Sequence, residues 1–321
     1  MHFIAERKVI IMAKHNYAML NGQVRENPRL IKNANGAIER IICPILVIRG
    51  VRDFGNNIDH IKYDSPFVMT NNPELIKIMK TWEKGDMVEI KGSVTTKDIV
   101  KSTTCKHCGH KHKKNGNMVY INPIFACVHE KRLSPSEGLE ILKARCEISN
   151  QVTLIGPVCR EPQLFVTDNG LSITTYQMAV RRKYRIASDS SDNKTDFPWI
   201  KSYGAIAKND AASIKKGAYI FVDGMIQTRE LDRIQVCEEC GKEYHWNDFA
   251  MEIVPFATEY LRDYYTKEDI QKREAEAGAL AAKSVLSESV IDAERPLDAP
   301  VFDESTKEND SESTTIKNIL D

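Results

Sequence analysis

The sequence predicts a mainly all-β protein of two tandem five-stranded barrels, on three observations. Landmark residues recur in order, each copy alternates short apolar strands with Gly and Pro turns, and each copy carries one Cys-x-x-Cys-Gly knuckle. Asn16, Gly22, Val24, Pro28, Leu30, Asn35 and Gly36 return 134 residues later as Asn150, Gly156, Val158, Pro162, Leu164, Asn169 and Gly170. Pro66, Gly85, Gly92, Cys105, Cys108, Gly109 and Pro123 return at a shift of 132 as Pro198, Gly217, Gly224, Cys237, Cys240, Gly241 and Pro255. Such residues mark turns, strand ends and a loop staple of one architecture. Solenoid and propeller repeats cycle every 20 to 50 residues or so, so each copy here is a whole domain with its own core.

The repeat places the domains at 14–133 and 148–266, with an extension at 1–13, a connector at 134–147 and a tail at 267–321. The formal charge of zero hides a dipole: the tail holds 14 Asp and Glu against 7 Lys and Arg, so the body is basic and the tail acidic. Beyond about residue 285 the tail has too little apolar surface to offset its ordering entropy and is expected to be disordered, whereas 267–285 suits a helix. No apolar run is long enough to span a membrane, and the start lacks a signal peptide's apolar stretch and cleavage site. A cytoplasmic, nucleoid-associated protein is expected.

The second copy gives its elements in order. NQVTLIGPV alternates and stops at Glu161-Pro162, a first strand. After the Asp168-Asn169-Gly170 turn, LSITTYQMAVRRKYR makes a second strand, residues 186–196 form a polar loop, and Phe197 to Ala205 makes a third. A helix from Lys208 to Lys215 ends at Gly217. AYIFVDGMIQTRE, kinked at Gly224, is the fourth strand, and Phe249 to Leu261 the fifth. Three strands, a helix and a two-strand hairpin is the order of an OB barrel, and the knuckle falls between strands four and five, in a loop OB folds use to hold nucleic acid.

The first copy repeats the layout with strands at Tyr17 to Val24, Ile38 to Ile48, Ser65 to Met69, Met87 to Thr95 and Met118 to Val128. Its helix, Pro73 to Trp82, follows an Asn72 N-cap with proline at the first helical position. The connector opens on a Ser134-Pro135-Ser136-Glu137 capping box and should be a short helix.

Eight cysteines are too few for a disulfide scaffold, and Cys43, Cys127, Cys146 and Cys159 lie singly in apolar or strand-like stretches, as small buried hydrophobes do. Cys105-Cys108 and Cys237-Cys240 each offer two thiolates on a tight Gly-bearing turn, half of a tetrahedral zinc site. One arrangement closes a single four-cysteine Zn2+ site between the barrels. The other gives each barrel its own ion, with His110 or His112 in the first copy, His245 in the second and Cys127 or another group as fourth ligand. A redox Cys-x-x-Cys needs a helix N-terminus in a βαβ setting, and a zinc deaminase needs His-x-Glu with Pro-Cys-x-x-Cys. Neither pattern is present. With no Walker A loop, Gly-x-Ser-x-Gly elbow or His-Glu-x-x-His, catalysis has no support and a non-enzyme is expected.

Unpaired strands bind in positive grooves where bases stack on aromatic faces. In the second copy Trp199, Tyr203 and Tyr184 stand among Arg181, Arg182, Lys183, Arg185 and Lys201, and Trp199, Lys201 and Tyr203 share one strand face because side chains repeat every two residues. The plainer alternative makes Trp199 and Tyr203 core aromatics. In the first copy Phe67 takes the place of Trp199 and Asn71 that of Tyr203, and the basic cluster thins to Arg49 and Arg52 near Tyr63, so weaker binding or a dimerisation role is expected.

Residues 150–230 resemble the bacterial and phage single-stranded DNA-binding (SSB) proteins. The resemblance rests on Asn150-x-Val152-x-Leu154-Ile155-Gly156-x-Val158, Ala179-Val180-Arg181-Arg182-x-Tyr184, Phe197-x-Trp199, Tyr203-Gly204 and Val222-x-Gly224-x-Ile226-Gln227-Thr228-Arg229. It implies base stacking near Tyr184, Trp199 and Tyr203, sequence-nonspecific strand binding in replication, recombination or repair, and a homodimer supplying four barrels. It also implies recruitment of replication or recombination proteins by the acidic tail, although Ile316 to Asp321 departs from the family's usual Asp-rich, Pro-Phe ending. The rival expectations are a protein that mainly recruits partners and an OB protein that binds single-stranded RNA.

Overall fold

The computed structural model describes residues 14–49, 61–183 and 195–288. The first copy runs β1 (His15–Val24), β2 (Arg29–Lys32), β3 (Ile38–Ile48), β4 (Tyr63–Asp64), β5 (Phe67–Thr70), α1 (Pro73–Met79), β6 (Met87–Thr104) and β7 (Lys111–Glu130). The connector holds α2 (Pro135–Ala144) and α3 (Cys146–Ser149). The second copy runs β8 (Asn150–Pro157), β9 (Gln163–Val166), β10 (Ser172–Gln177), β11 (Val180–Arg181), β12 (Thr195–Asp196), β13 (Trp199–Tyr203), α4 (Gly204–Ser213), β14 (Tyr219–Val236) and β15 (Glu243–Arg262), followed by α5 (Lys267–Glu288).

The strands join in the order β2-β3-β5-β7-β6-β1-β8-β14-β15-β13-β10-β9, which reads the same from either end once each strand is replaced by its repeat. A pseudo-twofold axis therefore passes between β1 and β8. There Ala18 faces Val152, its own counterpart in the repeat. The recurring asparagines close each barrel in the same way: Asn16 Nδ2 donates to Val94 O at 2.8 Å and Asn16 Oδ1 accepts from Val94 N at 2.9 Å. Asn150 does the same with Ile226, at 2.8 and 2.9 Å. Buried amides whose bonds are satisfied fix a strand crossing that apolar packing alone leaves loose. One apolar core runs through both barrels, from Ala18, Leu20, Ile45 and Ile90 to Val152, Leu154, Ile200 and Ile220.

The capping box forms as read, with Ser134 Oγ accepting from Glu137 N and the Glu137 carboxylate accepting from Ser134 N. The connector continues two residues beyond its expected end, to Ser149 at the end of α3. The expected Lys208–Lys215 helix instead begins at Gly204 and ends at Ser213. The expected second strand of the second copy breaks after Gln177 and resumes as β11. Two short strands, β2 and β9, had no clear alternation and pair as hairpins with β3 and β10. The tail helix reaches Glu288; the N-terminal extension, Arg52, Tyr184, Arg185 and the tail from 289 lie outside the described residues.

Strands four and five of each copy run well past the bounds expected from the sequence. β6 with β7 and β14 with β15 are ribbons of 18 and 20 residues per strand, longer than the expected arms. Their outer halves, such as Lys97 to Thr104 and Leu231 to Val236, bury no residue fully on either face and so lack the clear apolar alternation a half-buried strand shows. Each ribbon bends at a glycine, Gly92 or Gly224, where the register shifts by one residue. A side chain there would strike the facing carbonyl oxygen, at 2.4 Å from Asn122 and 2.3 Å from Val254.

Candidate nucleic-acid interface and metal centre

The two ribbons bring the knuckles together at their tips. In each, the second cysteine is followed by a glycine in the left-handed region, Gly109 at φ 76° and Gly241 at φ 67°. Gly109 N donates to Cys105 O and Gly241 N to Cys237 O, both at 2.9 Å. Open space surrounds both glycines, so the requirement is conformational.

The sulfurs of Cys105, Cys108, Cys237 and Cys240 all lie within 4.8 Å of one another, with Cys105 Sγ 3.8 Å from Cys240 Sγ and Cys108 Sγ 3.6 Å from Cys237 Sγ. Four ligands at a Zn–S distance of about 2.3 Å stand about 3.8 Å apart at the corners of a tetrahedron, so these residues fit such an ion. Burial pushes the Cys105 thiol up, but hydrogen bonds from the His107 and Cys108 amides and from the Cys108 and Cys237 thiols outweigh it and bring it down, while Cys108 in the same cluster is shifted up. His112 is no ligand of a separate site: its Nε2 lies 3.3 Å from Cys237 Sγ and its ring stacks on Tyr244 at 5.6 Å. His245 pairs with Asp232 at 2.7 Å, and Cys127 is grouped with Glu89 and His129 elsewhere on the first barrel. Among the described residues the group of metal-type ligands at the knuckles joins the cysteines of both copies and includes none of His110, His112, His245 and Cys127. Around it, Thr103 Oγ1 meets Tyr244 OH at 2.8 Å, His107 Nε2 reaches Glu243 O at 3.0 Å and Lys101 pairs with Asp248.

On β13, Ile200 and Ser202 point into the barrel while Trp199, Lys201 and Tyr203 share the outer face. β10 sets Gln177, Thr175 and Ile173 opposite these three, and β9 adds Phe165 beside Ile173. Phe165 is 50% exposed. Its strand β9, four residues long, is too short to show a period in the sequence. Arg160 lies over the Trp199 ring at 5.8 Å, a cation–π contact. On the far side of β13, Glu252 accepts from Arg229 at 2.9 Å and lies 3.9 Å from Lys201. Burial lowers the pKa of Lys201 against the pull of Glu252, with Arg229 adding to the lowering. Tyr203 is shifted up by burial, opposed by Arg229.

The other expected contacts are dispersed. Arg181 and Lys183 are exposed beyond the bend in the strand, where their charges act on Tyr219 and His15. Arg182 is a correction: its side chain is 7% exposed and pairs with Asp196, 1% exposed, at 2.8 Å, so it faces the protein where a phosphate contact was expected. Asp196 Oδ1 in turn accepts from Thr96 N of the first barrel at 2.9 Å, and Thr96 Oγ1 from Phe197 N at 3.0 Å. The repeat makes the same clamp in reverse. Arg49 holds Asp64 through two bonds of 2.9 and 3.0 Å, Asp64 accepts from Thr228 N at 2.7 Å, and Thr228 Oγ1 from Ser65 N at 2.9 Å. Arg49 is thus committed largely to the barrel junction. The recurrence of Asp64 as Asp196 and Thr96 as Thr228, at a shift of 132, is the sequence signal for both clamps.

Phe67 is also corrected: it is 5% exposed and meets Phe249 of the second copy at 5.0 Å, in a cluster with Ile42, Met69, Met118 and Tyr120. Where the second copy presents an open aromatic face, the first is covered. Tyr63 is exposed and, with Arg25, Thr228, Arg229 and Phe249, lines a cavity of about 110 Å³ at the junction.

The sequence model of the Single-strand binding protein family matches residues 149–240. Single-stranded DNA-binding protein A of Bacillus subtilis is 34% identical over 86 residues, 27% of this chain and 49% of that protein. The single-stranded DNA-binding protein of Caldanaerobacter subterraneus is 37% identical over 83 residues, 26% of this chain and 54% of that protein. The chain thus spans about half the length of the curated relatives it matches. The crystal structure of wild-type single-stranded DNA binding protein from Thermus aquaticus superposes with a TM-score of 0.51 at 15% identity, covering 78% of this chain and 95% of that one, a likeness of fold.

Proposed function

We propose that this chain, whose second barrel carries a single-strand binding protein family domain, binds single-stranded DNA without regard to sequence, as a non-enzyme in replication, recombination or repair. The observation that carries this reading is the outer face of β13 and its neighbours, where Trp199, Tyr203 and Phe165 stand beside Lys201, Arg229 and Arg160. Aromatic faces accept any base, and cations follow the backbone. Glu252 holds Arg229 and Lys201 in place until a phosphate replaces it. The covered face of the first copy makes the second barrel the principal binding surface.

Zn2+ in the four-cysteine cluster is part of this reading, as a structural ion that locks the ribbons at their tips. So is a homodimer of four barrels, an expectation drawn from the resemblance. Recruitment of replication or recombination proteins by the acidic tail rests on charge alone.

A titration with labelled oligo-dT, oligo-rU and duplex of equal length, followed by anisotropy at several salt concentrations, tests the function. Tight binding of dT that weakens steeply with salt is expected, because each phosphate contact releases counterion. Salt-independent dT binding, or equal affinity for duplex, would refute it. Preference for rU would favour an RNA-binding role.

A further inference from the structure

A second set of metal-type ligands lies on the outside of the first barrel, apart from the knuckles. Glu89 on β6 and Cys127 on β7 are direct partners in the ladder, and His129 is two residues on along β7. The Glu89 carboxylate, Cys127 Sγ and a His129 ring nitrogen lie within 4.8 Å of one another. His129 Nε2 is 3.0 Å from Glu89 Oε2 and 3.7 Å from Cys127 Sγ. A single ring nitrogen thus faces both other ligand atoms. One N–H cannot serve a carboxylate and a sulfur well at once, whereas an ion between the three would satisfy all of them.

The spacing is that of a coordination shell. With ligand distances of about 2.0 to 2.3 Å around a tetrahedral ion, nitrogen and sulfur stand about 3.6 Å apart and nitrogen and oxygen about 3.3 Å. Lys91 Nζ takes the other carboxylate oxygen, Oε1, at 2.9 Å, which orients Glu89 as an outer partner orients a ligating carboxylate. One thiolate and one carboxylate balance a divalent charge, and a mixed S, N, O set suits zinc-class ions better than magnesium or calcium. The repeat offers an internal control. At a shift of 132 the second barrel has Phe221, Glu259 and Leu261, with Phe221 facing Glu259 as Glu89 faces Cys127. The ligand set arose in one copy only, so the shared barrel fold does not account for it.

We propose that Glu89, Cys127 and His129 form a second divalent-metal site of the zinc class, separate from the knuckles, with three protein ligands and a fourth position open to solvent. The three side chains are half-buried or exposed, so the ion exchanges readily. It ties the barrel-proximal ends of β6 and β7 together, opposite the ribbon tips. The inference does not depend on the DNA-binding reading.

The test is metal stoichiometry of the full chain, stripped with chelator and then dialysed to equilibrium against free Zn2+. Wild type is expected to bind two equivalents, Cys127→Ser and His129→Gln one each, and Cys240→Ser to keep the equivalent at Glu89. With Co2+ as probe, a chain in which Cys105, Cys108, Cys237 and Cys240 are all changed to Ser should retain a weak thiolate-to-metal absorption band that disappears on adding Cys127→Ser. Cys127 is half-buried and His129 exposed, so both single variants are expected to melt with wild type once all three are stripped of metal. Equal zinc content in wild type, Cys127→Ser and His129→Gln would overturn the proposal.

Discussion

Trp199 and Phe67 hold the same place in the two copies, and truncating each should have opposite consequences. Trp199 stands on the open face, with its strand neighbours Ile200 and Ser202 fully buried beneath. Removing one stacked base costs about 1 to 3 kcal/mol, so Trp199→Ala should weaken binding of oligo-dT about 5- to 160-fold. Its melting temperature should change little, because the ring is not part of the core cluster. Phe67 is 5% exposed and packs on Phe249, Ile42, Met69 and Tyr120. Phe67→Ala leaves a cavity between the barrels and should cost about 3 to 5 kcal/mol of stability. Its dT affinity, measured well below its melting temperature, should stay within about twofold of wild type, a difference of about 0.4 kcal/mol. Anisotropy of a labelled oligonucleotide gives the affinities without relying on tryptophan emission, and urea denaturation gives the stabilities. Loss of affinity in Phe67→Ala comparable to that in Trp199→Ala, with stability unchanged, would refute the division of labour between the barrels.

Arg182→Ala should destabilise the chain by about 3 to 5 kcal/mol, because it leaves Asp196 buried without its cation, and should leave the salt dependence of dT binding unaltered. A slope shallower by about 0.7 would return Arg182 to the phosphate contacts. Cys240→Ser, or stripping the metal, should loosen the ribbon tips while both barrels stay folded, seen as faster amide exchange at Thr103 and Tyr244 than at Ala18 and Val152. Asp210, which accepts from Tyr176, Tyr260 and Thr258, is pushed up by burial against those hydroxyls. A raised carboxyl favours the folded chain at low pH, when it is protonated in both states. The benefit is lost as pH rises from about 4 through the raised folded value. Urea denaturation across that range should therefore show wild type losing ground to Asp210→Asn as pH increases. The reverse trend would mean that the hydroxyls outweigh burial.

Much of the fold was legible because the repeat marks positions where backbone geometry admits few residues. Gly92 and Gly224 mark the ribbon bends, Gly109 and Gly241 the knuckle turns, and Asn16 and Asn150 the strand crossings. The ribbon lengths were hidden, since Lys97 to Thr104 and Leu231 to Val236 are held by ladder bonds and by each other's tips without burying one face. Charge also misled. Arg49 and Arg182 read as phosphate contacts because type alone does not tell where a guanidinium points, while the acids that capture them, Asp64 and Asp196, stand 15 and 14 residues further along. Phe67 read as a weaker Trp199 because the partner that covers it, Phe249, belongs to the other copy.

The pairing of β1 with β8 has a thermodynamic consequence of its own. Where two separate chains must meet to align such strands, the alignment is lost on dilution; here the connector keeps them at a fixed effective concentration, so the barrel pair persists however scarce the protein is. The same joint limits dissection. An excised 148–266 fragment would leave the β8 edge with unpaired N–H and C=O groups, and two such fragments would be expected to take each other as partners in place of the missing half.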